Sequence, residues 1–199
     1  MTNPERSQKI VKPSADTLAQ AARTAGKSGL PPVHLWNPPD CGDIDIRIAR
    51  DGTWFYLGTP IGRPALVRLF STILRRDADR YVLVTPVEKV GIVVEDAPFV
   101  AVDFTVQGGG RDQIVTFETN VGDLSDAGGE HPLRFDLDSL TREPSPYIHI
   151  RGGLEALIDR KSFYRLVNLC VNQRFENTEW FGIWSGGKFF PICPSNELP

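Results

Sequence analysis

The residues best suited to binding chemistry sit where strands give way to helices or turns. In Thr59-Pro60-Ile61-Gly62-Arg63 a strand runs into a helix that starts at Pro64, a first-turn position proline favours. Backbone N–H groups at such a start attract anions, and Arg63 adds charge-assisted hydrogen bonds to phosphate or carboxylate. Thr59 contributes a hydroxyl or a backbone donor, and Arg160 and Lys161 occupy the corresponding helix start late in the chain. Trp184 borders the Ser185-Gly186-Gly187 turn, where a base can stack on the indole, while Arg151 and Lys188 end neighbouring strands. Thr59, Arg63, Arg151, Trp184 and Lys188 are therefore the candidate ligand contacts. The plainer reading of the same residues is a Pro-rich loop with a surface arginine, an interior tryptophan and solvated strand-end cations.

Other patterns carry less chemistry. Ala21–Ser28 fits a loose phosphate-loop pattern, but that motif needs a strand before it and a helix after it. Here a helical segment precedes it and Gly29-Leu30-Pro31-Pro32 forbids a helix beyond, so Gly26 reads as a helix C-terminus. His34, His131 and His149 share no ligand spacing, and Cys41 and Asp43 near His34 do not complete a metal set. Cys170 lies on an apolar helix face and reads as core, and a Cys41–His34 dyad reads as chance. Glu88-Lys89 forms a surface ion pair or lines a cleft.

The elements that must hold these residues follow from periodicity. Leu18, Ala21, Ala22 and Ala25 share a face of a short helix started by Ser14. Ile44, Ile46 and Ile48 alternate with Asp45 and Arg47 as in a half-buried strand, and Asp51-Gly52 turns the chain into Trp54–Leu57. Leu66, Leu69/Phe70 and Ile73/Leu74 then repeat at helical spacing, with strands expected over Tyr81–Thr85 and Gly91–Glu95. Val100, Val102, Phe104 and Val106 predict one face of a strand over Phe99–Gln107, followed by strands at Gln113–Thr119 and His131–Leu137. The last third predicts the hairpin Tyr147–Arg151/Leu154–Ile158, a helix from about Asp159, and strands Trp180–Trp184 and Lys188–Ile192.

Charge and composition narrow the classes. The chain of 199 residues is 41% hydrophobic and 24% charged, which suits a globular protein with an ordinary core. Its net charge of −3 argues against generic nucleic-acid binding. No apolar run approaches the roughly 20 residues of a membrane helix. Residues 95–146 hold eleven acidic against three basic residues, so an acidic, strand-rich middle separates two near-neutral sections. A polar Met1–Lys12 without an apolar segment, together with three unpaired cysteines, leads to the expectation of a cytoplasmic protein.

The near-neutral sections resemble each other. Ile44-Asp45-Ile46-Arg47 parallels Ile148-His149-Ile150-Arg151, and Leu66-Val67-Arg68-Leu69 parallels Leu166-Val167-Asn168-Leu169. In each a hairpin precedes a helix and two strands follow, a ββαββ order consistent with duplication. Interfaces between such units are common ligand sites.

Several runs also resemble a known bacterial family, the domain-of-unknown-function family 1285. They are Trp54–Arg63, Leu66–Phe70, Leu83–Lys89, Val94–Phe99, Tyr147–Gly153 and Trp180–Gly187, and the likeness extends over about residues 30–193. The resemblance implies a duplicated α+β core, a second domain loosely like a pleckstrin-homology fold, and a nucleotide-like ligand between the domains with a role in signalling. It implies no catalytic residue. The expectation is thus an α+β protein of two related units whose mixed or antiparallel sheets form partly open barrels. A tail with a short helix spans 1–30, the first unit 31–96 and the β-rich second unit 97–199. Its expected function is to bind a small anionic ligand between the units, more in a regulatory than a catalytic role, without cofactor, metal or membrane. Alternatives are a module that docks a protein partner, and a hydrolase of a small phosphorylated molecule, for which no nucleophile–base pair is visible.

Overall fold

The computed structural model describes residues 14–25, 30–141, 143–175 and 177–197. The first helix, α1 (Ala15–Ala25), begins where Ser14 and Thr17 cap each other. Ser14 Oγ accepts the Thr17 N–H at 3.3 Å and Thr17 Oγ1 accepts the Ser14 N–H at 3.0 Å. Its buried face comprises Ala15, Leu18, Ala19 and Ala22, with Ala21 towards the side. The expected tail and Gly26–Ser28, the decisive part of the phosphate-loop pattern, lie outside the described residues.

The first unit is a single six-stranded sheet backed by a helix. In chain order come β1 (Asp40–Ile48), β2 (Trp54–Tyr56), β3 (Thr59–Pro60), α2 (Pro64–Thr72), β4 (Leu74–Asp77), β5 (Arg80–Val84) and β6 (Lys89–Val94). The strands lie in the order β3-β2-β1-β6-β5-β4, and only β1 and β6 run parallel. Alternation in β1 buries Ile46 and Ile48 against Trp54, Leu83 and Val90 of the sheet and Phe70 of α2, in one cluster with Leu18 and Ala22 of α1. Strand β4 departs from the expected helix. The β-branched pair Thr72-Ile73 disfavours a further helical turn, and Leu74 instead pairs with Leu83 in the sheet.

The second unit contains β7 (Phe99–Gln107), β8 (Ile114–Thr119), β9 (Leu124–Asp126), β10 (Leu133–Leu137), β11 (Pro144–Arg151), β12 (Leu154–Ile158), α3 (Arg160–Val167), β13 (Val171–Phe175), β14 (Thr178–Ser185) and β15 (Lys188–Pro194). Its six-stranded sheet runs β10-β11-β12-β7-β8-β9, with β12 and β7 parallel, and β13-β14-β15 form a separate meander. An irregularity between Ala101 and Asp103 breaks the alternation of β7. Phe99, Ala101 and Phe104 consequently face the core, whereas Val102 and Val106 are exposed, contrary to the single face expected for Val100, Val102, Phe104 and Val106. Helix α3 starts where Asp159 Oδ1 accepts the Ser162 N–H at 2.7 Å.

The β14–β15 turn is pegged into the larger sheet. Ser185, fully buried, donates its hydroxyl to the Ala127 carbonyl at 2.6 Å and accepts the Val115 N–H at 2.9 Å. Gln113 donates to the Trp184 carbonyl at 2.7 Å, and the Gly186 N–H donates to the Gln113 carbonyl at 3.0 Å. Gly186 lies so close that a Cβ there would stand 3.1 Å from the Ala127 carbonyl oxygen.

Hairpin, helix and meander recur in both units, with three strands after each helix rather than the expected two. The strand match of Ile44–Arg47 with Ile148–Arg151 places both runs on the first strand of the hairpin that precedes the helix, in β1 and β11. The helical match is out by about one turn: Leu66 lies near the start of α2, and Leu166 near the end of α3. Among the described residues no helix is long and apolar enough to cross a membrane.

Candidate functional site

The five residues singled out from the sequence do not converge on one cleft. Thr59 and Arg63 are exposed and share a small cavity of about 320 Å³ with Tyr56, Ile61 and Leu66. Arg63 occupies the N-cap of α2 but its side chain caps nothing. Trp184 and Lys188 lie at the pegged turn. Arg111 stands 5.0 Å from the centre of the Trp184 rings, and Lys188 lies against Gly129. Arg151 alone of the five borders the space between the units, and its charge is already engaged. It pairs with Asp123, donates to the Ser71 carbonyl at 3.0 Å near the end of α2, and stacks over Phe99 at 5.0 Å.

That space is a groove of about 730 Å³, within the range of small-molecule sites. Strand β4 forms one wall, the Gly152-Gly153 turn of β11–β12 a second, and residues 30–37 a third. Gly152 and Gly153 both adopt positive φ, as the two-residue hairpin turn requires. Alternation along β4 sends Arg75 and Arg76 to opposite faces. Arg75 turns to the N-terminal segment, donating to the carbonyls of Val33 at 2.7 Å and Trp36 at 2.6 Å while gripping both oxygens of Asp77. These hydrogen bonds, with help from Lys89 and against the opposing effect of burial, hold the Asp77 carboxyl below the usual carboxylate range.

Arg76 differs from its neighbours. Its Nε donates to the Ala78 carbonyl at 3.1 Å, and the guanidinium lies 5.7 Å from the Tyr81 ring centre. The terminal nitrogens meet no partner among the described residues. Three arginines line the groove (Arg75, Arg76 and Arg151) against one aspartate, Asp77, and Trp36 and Leu154 add apolar surface.

Comparison with known proteins gives the lineage. The family descriptions "Domain of unknown function (DUF1285), N-terminal domain" and "Protein of unknown function (DUF1285), C-terminal domain" match residues 31–97 and 98–192. The chain belongs to the DUF1285 family. A DUF1285 family protein from Silicibacter pomeroyi DSS-3 has a crystal structure similar to this fold, with a TM-score of 0.82 and 62% identity over 91% of this chain and 97% of that one. Another DUF1285 family protein, from Shewanella baltica OS155, is 32% identical over 62% of this chain and 90% of that one, with a TM-score of 0.49. No curated protein matches the chain.

In this DUF1285 chain a second, polar cavity of about 490 Å³ adjoins the groove across Arg76, with Gly152 of the hairpin turn lining the groove and Gly153 the cavity. Tyr81, Asp96, Arg134, His149 and Glu155 complete it. Arg134 holds both oxygens of Glu155 and also pairs with Asp136, which raises its already high pKa. Asp96 accepts the Tyr147 hydroxyl at 2.8 Å and faces Arg50 at 3.2 Å. Burial, reinforced by the Asp96 carboxylate, pushes the Tyr147 hydroxyl up to about 12, and burial likewise raises Tyr81. Arg76 and His149, which line this cavity, stand outside the sequence-derived set because helical spacing runs on to Leu74 with no strand expected before Tyr81, and His149 shares no ligand spacing with the other histidines. The available signal was the adjacent Arg75-Arg76 pair. Among the described residues no group of three or more His, Cys, Asp or Glu side chains is arranged to hold a metal ion.

Proposed function

We propose that the protein binds a small aromatic anion, nucleotide-like in chemistry, in the groove between its two units, and acts as a regulatory binding protein. The observation that carries this reading is Arg76, whose guanidinium ends meet no partner among the described residues, on the wall of a groove of suitable size. Charge-assisted bonds from a planar guanidinium suit phosphate or carboxylate. Trp36, on the facing wall formed by residues 30–37, offers an aromatic surface, while Arg151 is held by Asp123 and the Ser71 carbonyl. Because residues 30–37, β4 and the β11–β12 turn all contribute walls, a ligand there shifts the populations of arrangements that differ in how these walls meet. That is a means of signalling without catalysis, in keeping with a cytoplasmic regulatory role.

Calorimetric titration with nucleoside monophosphates and naphthalene-2-sulfonate tests the reading. Arg76→Gln is expected to weaken binding about tenfold or more, the scale of a charge-assisted bond lost. Arg63→Ala and Lys188→Ala, outside the groove, are expected to leave it unchanged. Equal loss with Arg63→Ala would move the site to the start of α2. Absence of binding by every anion would favour a protein-docking role instead.

A further inference from the structure

His149 lines the polar cavity beside Arg76, and both its ring nitrogens are in use. Its Nε2 accepts the Gly153 N–H at 3.2 Å. Its Nδ1 lies 3.1 Å from the Glu130 carbonyl, to which it can only donate. The two bonds together require the neutral ring with its proton on Nδ1. The ring stacks on His131 with centres 5.9 Å apart, and His131 Nδ1 in turn donates to the His149 carbonyl at 3.1 Å. The β11–β12 ladder is irregular between His149 and Arg151, so the imidazole ties the strand to its own turn where regular pairing lapses.

Charged groups reach this ring from every side. Glu130 and His131 come from the approach to β10, Arg134 from β10 and Glu155 from the facing position on β12. Arg76 and Tyr81 come from β4 and β5, and Asp96 from the link between the units. Glu155 is already bonded to Arg134, and Asp96 to Tyr147 with Arg50 beside it. A proton on Nε2 removes the acceptor of the Gly153 N–H and places a third cation, after Arg76 and Arg134, in the cavity that Arg76 shares.

We propose that His149 is a proton-operated latch on the Gly152–Gly153 turn, and that its protonation frees the Gly153 N–H and strengthens anion binding beside Arg76. The latch stands on the His149–Gly153 geometry alone; its effect on anions rests on the groove reading above. Histidine is the side chain whose charge change is sought between about pH 5 and 8.

The test is an NMR titration of the full chain across that range, following the His149 ring and the Gly153 amide. The two are expected to move with one midpoint, in the wild type and in His131→Phe, while in His149→Phe the Gly153 amide stays flat. A Gly153 amide that ignores His149, or that titrates equally in His149→Phe, would overturn the latch. Naphthalene-2-sulfonate keeps its charge throughout, and on acidification its affinity is expected to rise about fivefold more in the wild type than in His149→Phe, the groove-lining His34 being common to both. An equal change in both proteins, with Gly153 titrating in the wild type, overturns the link to the groove. No binding at either end sinks the anion reading itself, and the Gly153 amide still decides the latch.

Discussion

Replacing Arg151 by Met keeps most of the aliphatic stem and deletes the guanidinium. That group pairs with Asp123 of the second unit and bonds the Ser71 carbonyl of the first, with both partners of the ion pair only 23% exposed. A hydrogen bond to a charged group contributes about 1.5–3 kcal/mol, and breaking a fully buried pair costs about 3–5 kcal/mol. Partial exposure and the retained stem place Arg151→Met at about 2–4 kcal/mol. At about 2–4 °C per kcal/mol for a chain of this size, the melting temperature should fall by roughly 4–16 °C. Urea unfolding of Arg151→Met, Asp123→Asn and the double variant gives the coupling directly, expected at about 1–2 kcal/mol. A single-variant cost within about 0.5 kcal/mol and a coupling near zero would refute the reasoning. Arg151 would then be as free for a ligand as its strand-end position first implied.

Three further outcomes follow from the packing and ionisation. Ser185→Ala leaves the Val115 N–H and Ala127 carbonyl without their shared partner and should cost about 2–4 kcal/mol in urea unfolding, whereas Thr116→Val, whose bond to Asp126 is exposed, should cost far less. Asp77 titrates low in the folded state, so its contribution to stability is present above its unfolded value near 4 and is lost as pH falls through the lower folded value. Asp77→Asn should therefore flatten part of the acid limb of a urea-midpoint profile. Burial pushes the Cys170 thiol up to about 12, so a thiol reagent near neutral pH should label exposed Cys41 quickly and reach Cys170 only on unfolding, as mass spectrometry would show.

Local rules made much of the fold readable. Ile44, Ile46 and Ile48 alternate because one face of β1 is buried, and Gly152-Gly153 closes a hairpin because glycine tolerates the positive φ of both turn positions. The misses have a common cause, which is that a neighbour distant in sequence outweighs the local pattern. Leu74 continues a helical period yet pairs with Leu83, and Val102 fits an alternation that the irregularity at β8 interrupts. Arg151 was legible as a cation at a strand end, but not as one neutralised by Asp123 and the end of α2. Arg76 is the converse: two adjacent arginines look alike in a string, and only the pleat sends one to Asp77 and leaves the other open.

Each unit closes on a single parallel strand pair, β1 with β6 and β7 with β12. A parallel partner cannot be supplied by a tight turn, so the first strand of each unit must wait for one made much later in the chain. During synthesis the first unit can complete its sheet once β6 has emerged, whereas β7 keeps an unpaired edge until β12 follows. The stretch made in that interval is the acidic one. Charge near an open strand edge disfavours edge-to-edge pairing between chains, and here the surplus falls in the connection between the two parallel partners.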